Sequence, residues 1–156
     1  MGAASRGAYY IKASQGFRVA LKFHRLKLMW CDHRYNHNNF NYMSVENINS
    51  IDFISIGKIS GVLNLTLVDP LDWTDEGNHL ALLQDKINAY LRFIESGEIE
   101  QTYPDAIGRK RSINIVARFD PTEAGLKFLD SVRNLIEGAG FAFKYEIRSD
   151  LAVLEE

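Results

Sequence analysis

Residues 112–148 restrict the fold more than any other part of the chain. The first eight of them, SINIVARF, and the last eight, FAFKYEIR, alternate apolar with polar side chains, whereas apolar residues between them recur every three or four positions. Alternation predicts a strand with one buried face, and the longer spacing predicts an amphipathic helix. The helix is expected to begin at Asp120-Pro121-Thr122-Glu123, with Asp120 as the cap and Pro121 in the first helical position. This stretch therefore predicts a strand–helix–strand unit, which is right-handed if its strands are parallel.

A hairpin and a long helix are predicted ahead of this unit. Residues 51–56 and 59–68 each predict a strand, and the two residues between them, Gly57-Lys58, predict a tight type II′ turn. The helix that follows carries one apolar stripe and is expected to end at Gly97, in a left-handed conformation. The stripe consists of Leu80, Leu83, Ile87, Leu91 and Ile94.

The predicted element order is β-β-α-β-α-β, since residues 98–111 predict a loop between the first helix and the third strand. Because the strands alternate, one face of the sheet should be packed and the other should face water. Both helices are expected on the packed face, which gives an α+β fold, a two-layer sandwich with a four-stranded mixed sheet. We predict a lead-in at 43–49, the α+β domain at 50–149 and an acidic tail at 150–156. The pattern does not determine the order of the strands within the sheet.

Residues in and before the first helix resemble a known family. The pattern that carries the resemblance is Asp69-x-x-Asp72-Trp73, followed by Leu82-Leu83-Gln84-x-Lys86-x-Asn88-x-Tyr90-x-x-Phe93-Ile94-x-Ser96-Gly97-Glu98. It is similar to a family of small bacterial proteins defined only as a domain of unknown function, and the similarity runs from about Ile51 to Ile147. The resemblance implies a small bacterial α+β domain and implies no activity.

Acidic residues ahead of the first helix form the first candidate site. They are Asp69, Asp72, Asp75 and Glu76. Such carboxylates can bind a hard cation through oxygen ligands, or two of them can form an acid–base pair. An EF-hand loop beginning at Asp69 would need Gly in the sixth position and Glu in the twelfth, but Thr74 and Leu80 stand there. The alternative is that Thr74 or Asp75 caps the helix while the acids favour its positive end. We favour capping and predict no metal site.

Other candidate residues lie in and next to the same helix. Trp73 is expected to anchor the loop on the core rather than to bind a partner. His79, near the acidic loop, is a candidate general base, but a histidine without a nucleophile or metal set is more often structural. Gln84 and Asn88 can both donate and accept hydrogen bonds, so they are candidates for recognising a backbone or a partner. These two amides are predicted to share an exposed polar ridge with Asp85, Lys86 and Arg92. The candidate binding residues are Asp69, Asp72, Trp73, His79, Gln84 and Asn88, and no catalytic residue is assigned.

Residues 1–42 differ in composition from the rest of the chain. They carry seven basic residues and one acid, a net charge of +6, whereas the remainder carries −8. Three interpretations are open: an extension ahead of a natural start at Met43, an organelle transit peptide, or a basic arm that binds nucleic acid or anionic membrane. Cys31, His33 and His37 offer three metal ligands without an evident fourth, so a plain polar tail is preferred over a zinc site.

Composition argues against several classes of protein. The single cysteine excludes an internal disulfide framework, and no apolar run approaches the roughly 18 residues of a membrane span. We find no Gly-rich phosphate loop, no G-x-S-x-G elbow and no export signal. The acidic charge of the domain argues against nucleic acid, so the basic run at 109–111 is expected to be solvated. A cytoplasmic protein without a cofactor is predicted.

We therefore predict a non-enzymatic domain that acts through protein–protein contact. An open edge of its sheet would pair with a second copy of the chain or with another protein. The rival prediction is a metal-dependent or acid–base hydrolase that uses the loop from Asp69 to Glu76 and His79. That rival predicts a thermal shift with divalent ions, which Asp72→Asn should abolish.

Overall fold

The computed structural model describes residues 45–149 and the backbone of residues 27–28. The strands are Lys27–Leu28 (β1), Ser50–Ile51 (β2), Phe53–Ile56 (β3), Leu63–Asp69 (β4), Arg111–Ala117 (β5) and Ala142–Ile147 (β6). The helices are Glu76–Glu95 (α1), Glu98–Thr102 (α2) and Glu123–Gly138 (α3), with a 3-10 turn at Pro104–Ala106. Apart from β1, the predicted extension at 1–42 with Cys31, His33 and His37, and the predicted tail at 150–156, lie outside the described residues.

Strands β3 to β6 form one sheet in chain order, β3-β4-β5-β6. β3 runs antiparallel to β4, whereas β4, β5 and β6 are mutually parallel. α1 and α3 connect the parallel strands and contact each other. The predicted α+β fold with a four-stranded mixed sheet is confirmed. The strand order, which the sequence pattern left open, places β3 and β6 at the two edges. β1 and β2 form a separate two-residue parallel pair.

The core lies between the helices and the packed face of the sheet. Leu65 of β4 stands beside Ile113 of β5, which in turn stands beside Phe143 of β6, and all three side chains are buried. Of the predicted helical stripe, Leu80 is half-buried and the rest is buried, namely Leu83, Ile87, Leu91 and Ile94. Each fully buried aliphatic or aromatic side chain contributes roughly 1.5–3 kcal/mol relative to an exposed one, so this face supplies most of the driving force for folding.

The predicted two-residue hairpin is wrong. Ile56 pairs with Leu63, so the connection runs over the six residues 57–62. The loop is closed by a hydrogen bond from Gly57 N–H to the Val62 carbonyl at 2.9 Å, and Gly61 adopts a φ of 67°. Glycine reaches a left-handed φ easily, so the left-handed residue of this loop is Gly61, four residues after Gly57. Ile59, predicted as the first residue of the second strand, is instead fully exposed in the loop.

Two boundaries near the helices also differ from prediction. Thr122, not Asp120, caps α3, because its hydroxyl accepts a hydrogen bond from Gly125 N–H at 3.1 Å. The predicted loop at 98–111 contains α2, which restarts after Gly97 at a φ of 76°. α2 is held to the core by Ile99, which is completely buried. Burial of Ile99 thus stabilises a short helix in a segment whose weak helical periodicity predicted a loop.

Candidate functional site

The carboxylate of Asp69, the last residue of β4, lies against the ring of His79 in the first turns of α1. Nε2 of His79 is 2.8 Å from both carboxylate oxygens. Asp69 also accepts a hydrogen bond from Leu71 N–H at 3.2 Å. His79 is 2% exposed and Asp69 is 1% exposed. Since the histidine N–H donates to a fixed carboxylate, the contact orients the ring and joins the end of β4 to the start of α1.

Trp73 packs on the other side of this contact. Its ring centroid is 4.1 Å from that of His79, with the two planes tilted by 36°. A methyl group added at Gly125 of α3 would lie only 2.7 Å from Cη2 of Trp73. Real side chains do not approach so closely, so the indole requires a glycine at that position in α3. Trp73 therefore connects the starts of α1 and α3 and packs against the core cluster.

The remaining acids of the segment each make a local hydrogen bond. Oδ1 of Asp72 accepts from Thr74 N–H at 2.9 Å, and this bond together with the Thr74 side chain lowers the pKa of Asp72. Thr74 and Asp75 were the two predicted caps of α1. Asp75 is the one that caps it, by accepting a hydrogen bond from Asn78 N–H at 3.3 Å. In the described part of the chain, no three Asp, Glu, His or Cys side chains are grouped so as to hold a metal ion. The acids act here as turn and cap groups.

A cavity of about 370 Å³ opens at the carboxyl ends of β4 and β5. Asp72, Asp75, His79 and Arg118 are among the residues that line it. Nδ1 of His79 is buried without a hydrogen-bond partner, and so is the hydroxyl of Tyr145. Burial, and then the nearby carboxylates of Asp69 and Asp120, raise the pKa of Tyr145. Because the His79 ring is almost completely enclosed, this arrangement is better suited to holding two helix starts against the sheet than to exchanging protons with a solute.

The two predicted amides lie elsewhere on α1. Gln84 and Asn88 are half-buried and do not line the cavity. At a rise of about 1.5 Å per residue, Asn88 lies roughly 13 Å along the helix axis from His79. The structure therefore brings Asp69, Asp72, Trp73 and His79 together around the start of α1, and places the amides further along the helix.

Lys86, predicted on the exposed ridge, is instead completely buried. Its ammonium donates to Oδ1 of Asp52 at 2.7 Å and to the Asn47 carbonyl at 2.5 Å, with Ser50 Oγ at 3.5 Å. The other oxygen of Asp52 accepts from Val68 N–H of β4 at 2.9 Å. Burial raises the pKa of Asp52 and lowers the pKa of Lys86, and their mutual attraction only partly offsets this effect. The pair ties the segment ahead of β3 to α1.

Tyr90, one helical turn after Lys86, completes this buried network. Its hydroxyl accepts from Asp52 N–H at 2.9 Å and donates to the Thr66 carbonyl at 2.9 Å. Sequence reasoning did not assign this network, although two signals were present. Lys86 and Tyr90 both stand in the family-like pattern, and Asp52 is a charged residue between the apolar Ile51 and Phe53.

The outer edge of β6 is the second candidate surface. Among the described residues, no strand pairs with that edge. Arg148 N–H donates to the Ala117 carbonyl of β5 at 2.7 Å. Backbone groups of alternate residues point to the same side of a strand, so the N–H and C=O groups of Phe143, Tyr145 and Ile147 point away from β5. The edge therefore presents a row of hydrogen-bonding groups to a further strand.

The side chains of β6 alternate between the two faces of the sheet. Phe143 is buried on the helix side, whereas Lys144 and Glu146 are exposed on the opposite face. The exposed face of this edge strand thus carries one positive and one negative side chain, two residues apart.

These features define a two-layer α+β domain with two buried polar clusters and an edge, along β6, that no described strand covers. The chain belongs to the family described as "Family of unknown function (DUF6572)", whose family model matches residues 43–149. The matched range contains the Asp69-x-x-Asp72-Trp73 pattern, and the predicted resemblance to a domain of unknown function is confirmed. No curated protein and no solved structure matches the chain. None of the helices in the described part combines the length and the apolar character that crossing a membrane requires.

Proposed function

We propose that this chain is a non-enzymatic protein-interaction module, acting in the cytoplasm, that binds an extended strand along the edge of β6. The observation that supports this function is the outward row of N–H and C=O groups at Phe143, Tyr145 and Ile147. Addition of a strand to an exposed sheet edge satisfies such groups through main-chain hydrogen bonds, while side chains supply specificity. A partner that is extended over about six residues matches the length of β6.

The other edge strand, β3, is less suited to this role. It has four residues, against six in β6. Just ahead of β3 the backbone is already used, since Asp52 N–H donates to the Tyr90 hydroxyl at 2.9 Å. Each lost backbone pair shortens the ladder that a partner can form, so we assign the interaction to β6.

An acid–base or metal-dependent hydrolase at the Asp69–Glu76 loop and His79 has less support. His79 is held by Asp69 and is only 2% exposed, and the other acids are spread over separate local hydrogen bonds. We expect that adding Mg²⁺, Ca²⁺ or Mn²⁺ leaves the melting temperature unchanged in the wild type and in Asp72→Asn. A shift present in the wild type and absent in the variant would instead favour the hydrolase.

The proposed function is tested with a neutral strand peptide and amide hydrogen exchange on the full chain, at a chain concentration low enough to keep it monomeric. The probe has the sequence FAFTYTIR, which corresponds to 141–148 with Thr in place of Lys144 and Glu146. Binding should slow exchange at the amides of Phe143, Tyr145 and Ile147. The amides of Lys144 and Glu146 are the internal control, because they point toward β5 and should be protected with or without the peptide. Unchanged exchange at all three outward amides at millimolar peptide would overturn the proposal.

A further inference from the structure

We infer that the strand bound along β6 is the same strand of a second copy of this chain, antiparallel and centred on Tyr145. This inference rests on the proposed function, and it names the partner for the same edge. A two-fold axis through Tyr145 would place Phe143 opposite Ile147 of the second copy, and Lys144 opposite Glu146 of the second copy. The two four-stranded sheets then continue as one eight-stranded sheet.

The backbone supports this register. Phe143, Tyr145 and Ile147 carry the outward N–H and C=O groups, so centring on Tyr145 makes all of their cross-pairs hydrogen-bonded pairs of an antiparallel ladder. Lys144 and Glu146 then occupy the non-hydrogen-bonded positions. In those positions the Cα atoms are only about 4.5 Å apart and side chains approach most closely. The charged side chains therefore meet where contact across the ladder is tightest.

Charge complementarity selects the same register. Two opposite-charge pairs form by symmetry when the axis passes through Tyr145, and opposite charges that face each other across a ladder are stabilising. An axis through Lys144 or through Glu146 also pairs outward backbone groups, but it places like charges opposite each other. A parallel arrangement in register also faces Lys144 with Lys144. Among the registers that pair β6 with itself over most of its length, only the one centred on Tyr145 places opposite charges opposite each other.

The charges on β6 also restrict other partners. A charged side chain on an edge strand discourages indiscriminate pairing with other strands. Glu146 already lies 3.8 Å from Arg148 on its own strand, but both side chains are about half exposed or more, so Glu146 remains accessible to a second copy. An isologous contact of this kind closes on itself, and so produces a dimer rather than a fibre.

The test uses charge reversal in the full-length chain, with the dissociation constant measured by sedimentation equilibrium over a wide concentration range. Lys144→Glu or Glu146→Lys alone places like charges opposite each other twice per dimer and should weaken self-association roughly tenfold or more. The double variant with both reversals should recover wild-type association. An equimolar mixture of the two single variants should form a heterodimer, because every facing pair is again of opposite sign.

The matched control is Ser55→Glu, an exposed position on the opposite edge strand β3. It should leave the dissociation constant unchanged. Circular dichroism of each variant confirms folding, which is expected because Lys144, Glu146 and Ser55 are all exposed. Self-association that ignores the β6 charges, or that Ser55→Glu weakens, would overturn the inference.

A wild-type chain that stays monomeric at every concentration also overturns self-pairing, and the peptide experiment then decides about the proposed function. If the neutral peptide still protects the outward amides of β6, the edge binds strands but its partner is a different protein. If the peptide does not bind either, both the inference and the proposed function fail.

Discussion

The ammonium of Lys86 lies 2.7 Å from the carboxylate of Asp52, and neither side chain is exposed to solvent. Moving two charges out of water costs several kcal/mol per ion, which the attraction between them repays only when the geometry is good and other hydrogen bonds complete the site. Here Asn47 and Val68 supply such bonds. The pair therefore determines how residues 47–52 dock onto α1 more than it adds net stability.

Replacing Lys86 by Met should lower the free energy of unfolding by about 3–5 kcal/mol, because it leaves the Asp52 carboxylate buried and unpaired. Urea denaturation monitored by circular dichroism measures the change. The double variant Asp52→Asn/Lys86→Met should be more stable than Lys86→Met alone. Lys127→Met is the matched control, since Lys127 also makes a 2.7 Å ion pair, with Glu123, but an exposed one. The control should cost no more than about 1 kcal/mol. Equal losses in the two single variants would contradict a special role for burial.

The contribution of Asp52 and Lys86 to the free energy of unfolding should fall with rising pH in acid and increase with rising pH in base. Burial raises the pKa of Asp52 above its ordinary 3.8, so the stability that its protonation contributes is full below pH 3.8 and is lost as the pH rises through the raised pKa. Burial lowers the pKa of Lys86 below its ordinary 10.5. The contribution of Lys86 is therefore full above pH 10.5 and is lost as the pH falls through the lowered pKa.

The variant Asp52→Asn/Lys86→Met, which lacks both titrating groups, isolates this effect. The free energy of unfolding of the wild type minus that of the double variant should be lowest near neutral pH and should rise toward both extremes. Urea titrations at a series of pH values measure the difference. A difference that peaks near neutral pH would show that the attraction between the two charges outweighs their desolvation.

A methyl group at Gly125 should destabilise the protein by about 1–3 kcal/mol, even though alanine is favoured over glycine in a helix by up to about 1 kcal/mol. The reason is the 2.7 Å approach of the new carbon to Trp73. Thermal denaturation of Gly125→Ala measures the loss. Gly138→Ala in the same helix is the control, because nothing lies within 4 Å of a carbon added there. Combining Gly125→Ala with Trp73→Phe should cost less than the two changes separately, and strict additivity would argue against the contact.

Elements whose burial follows their own periodicity are predictable from this sequence. The α1 stripe and the alternation of β4 identified the buried faces, and Gly97 marked the end of α1 as expected. The hairpin and the cap of α3 were not predictable to the residue. Gly57 and Gly61 both permit a turn, and Asp120 and Thr122 are both good caps. Local preferences cannot choose between two such residues, because the packing of the flanking elements determines which of them forms the turn or the cap.

The candidate site divides in the same way. Asp69 and His79 are ten residues apart and flank one loop. The sequence therefore already placed His79 near the acidic segment. The burial of Lys86 was not visible in the sequence, because a lysine is placed on the exposed face of a helix unless a partner is known. That partner, Asp52, is 34 residues away, and its position depends on how the backbone ahead of β3 crosses α1.

Asp69→Asn and Asp72→Asn should have different effects, although both remove one carboxylate from the same loop. Asp69 holds the His79 ring inside the protein, so its replacement should lower the free energy of unfolding by about 1–3 kcal/mol, the usual cost of leaving a buried polar group poorly satisfied. Asp72 is exposed and bonds within its own turn, so Asp72→Asn should leave the free energy of unfolding nearly unchanged. Urea denaturation at neutral pH measures both. Neither variant should alter self-association, since the loop lies at the ends of β4 and β5 and not along β6. If Asp72→Asn destabilises the chain as much as Asp69→Asn, the acids act together, and the interpretation of separate turn, cap and anchor roles is wrong.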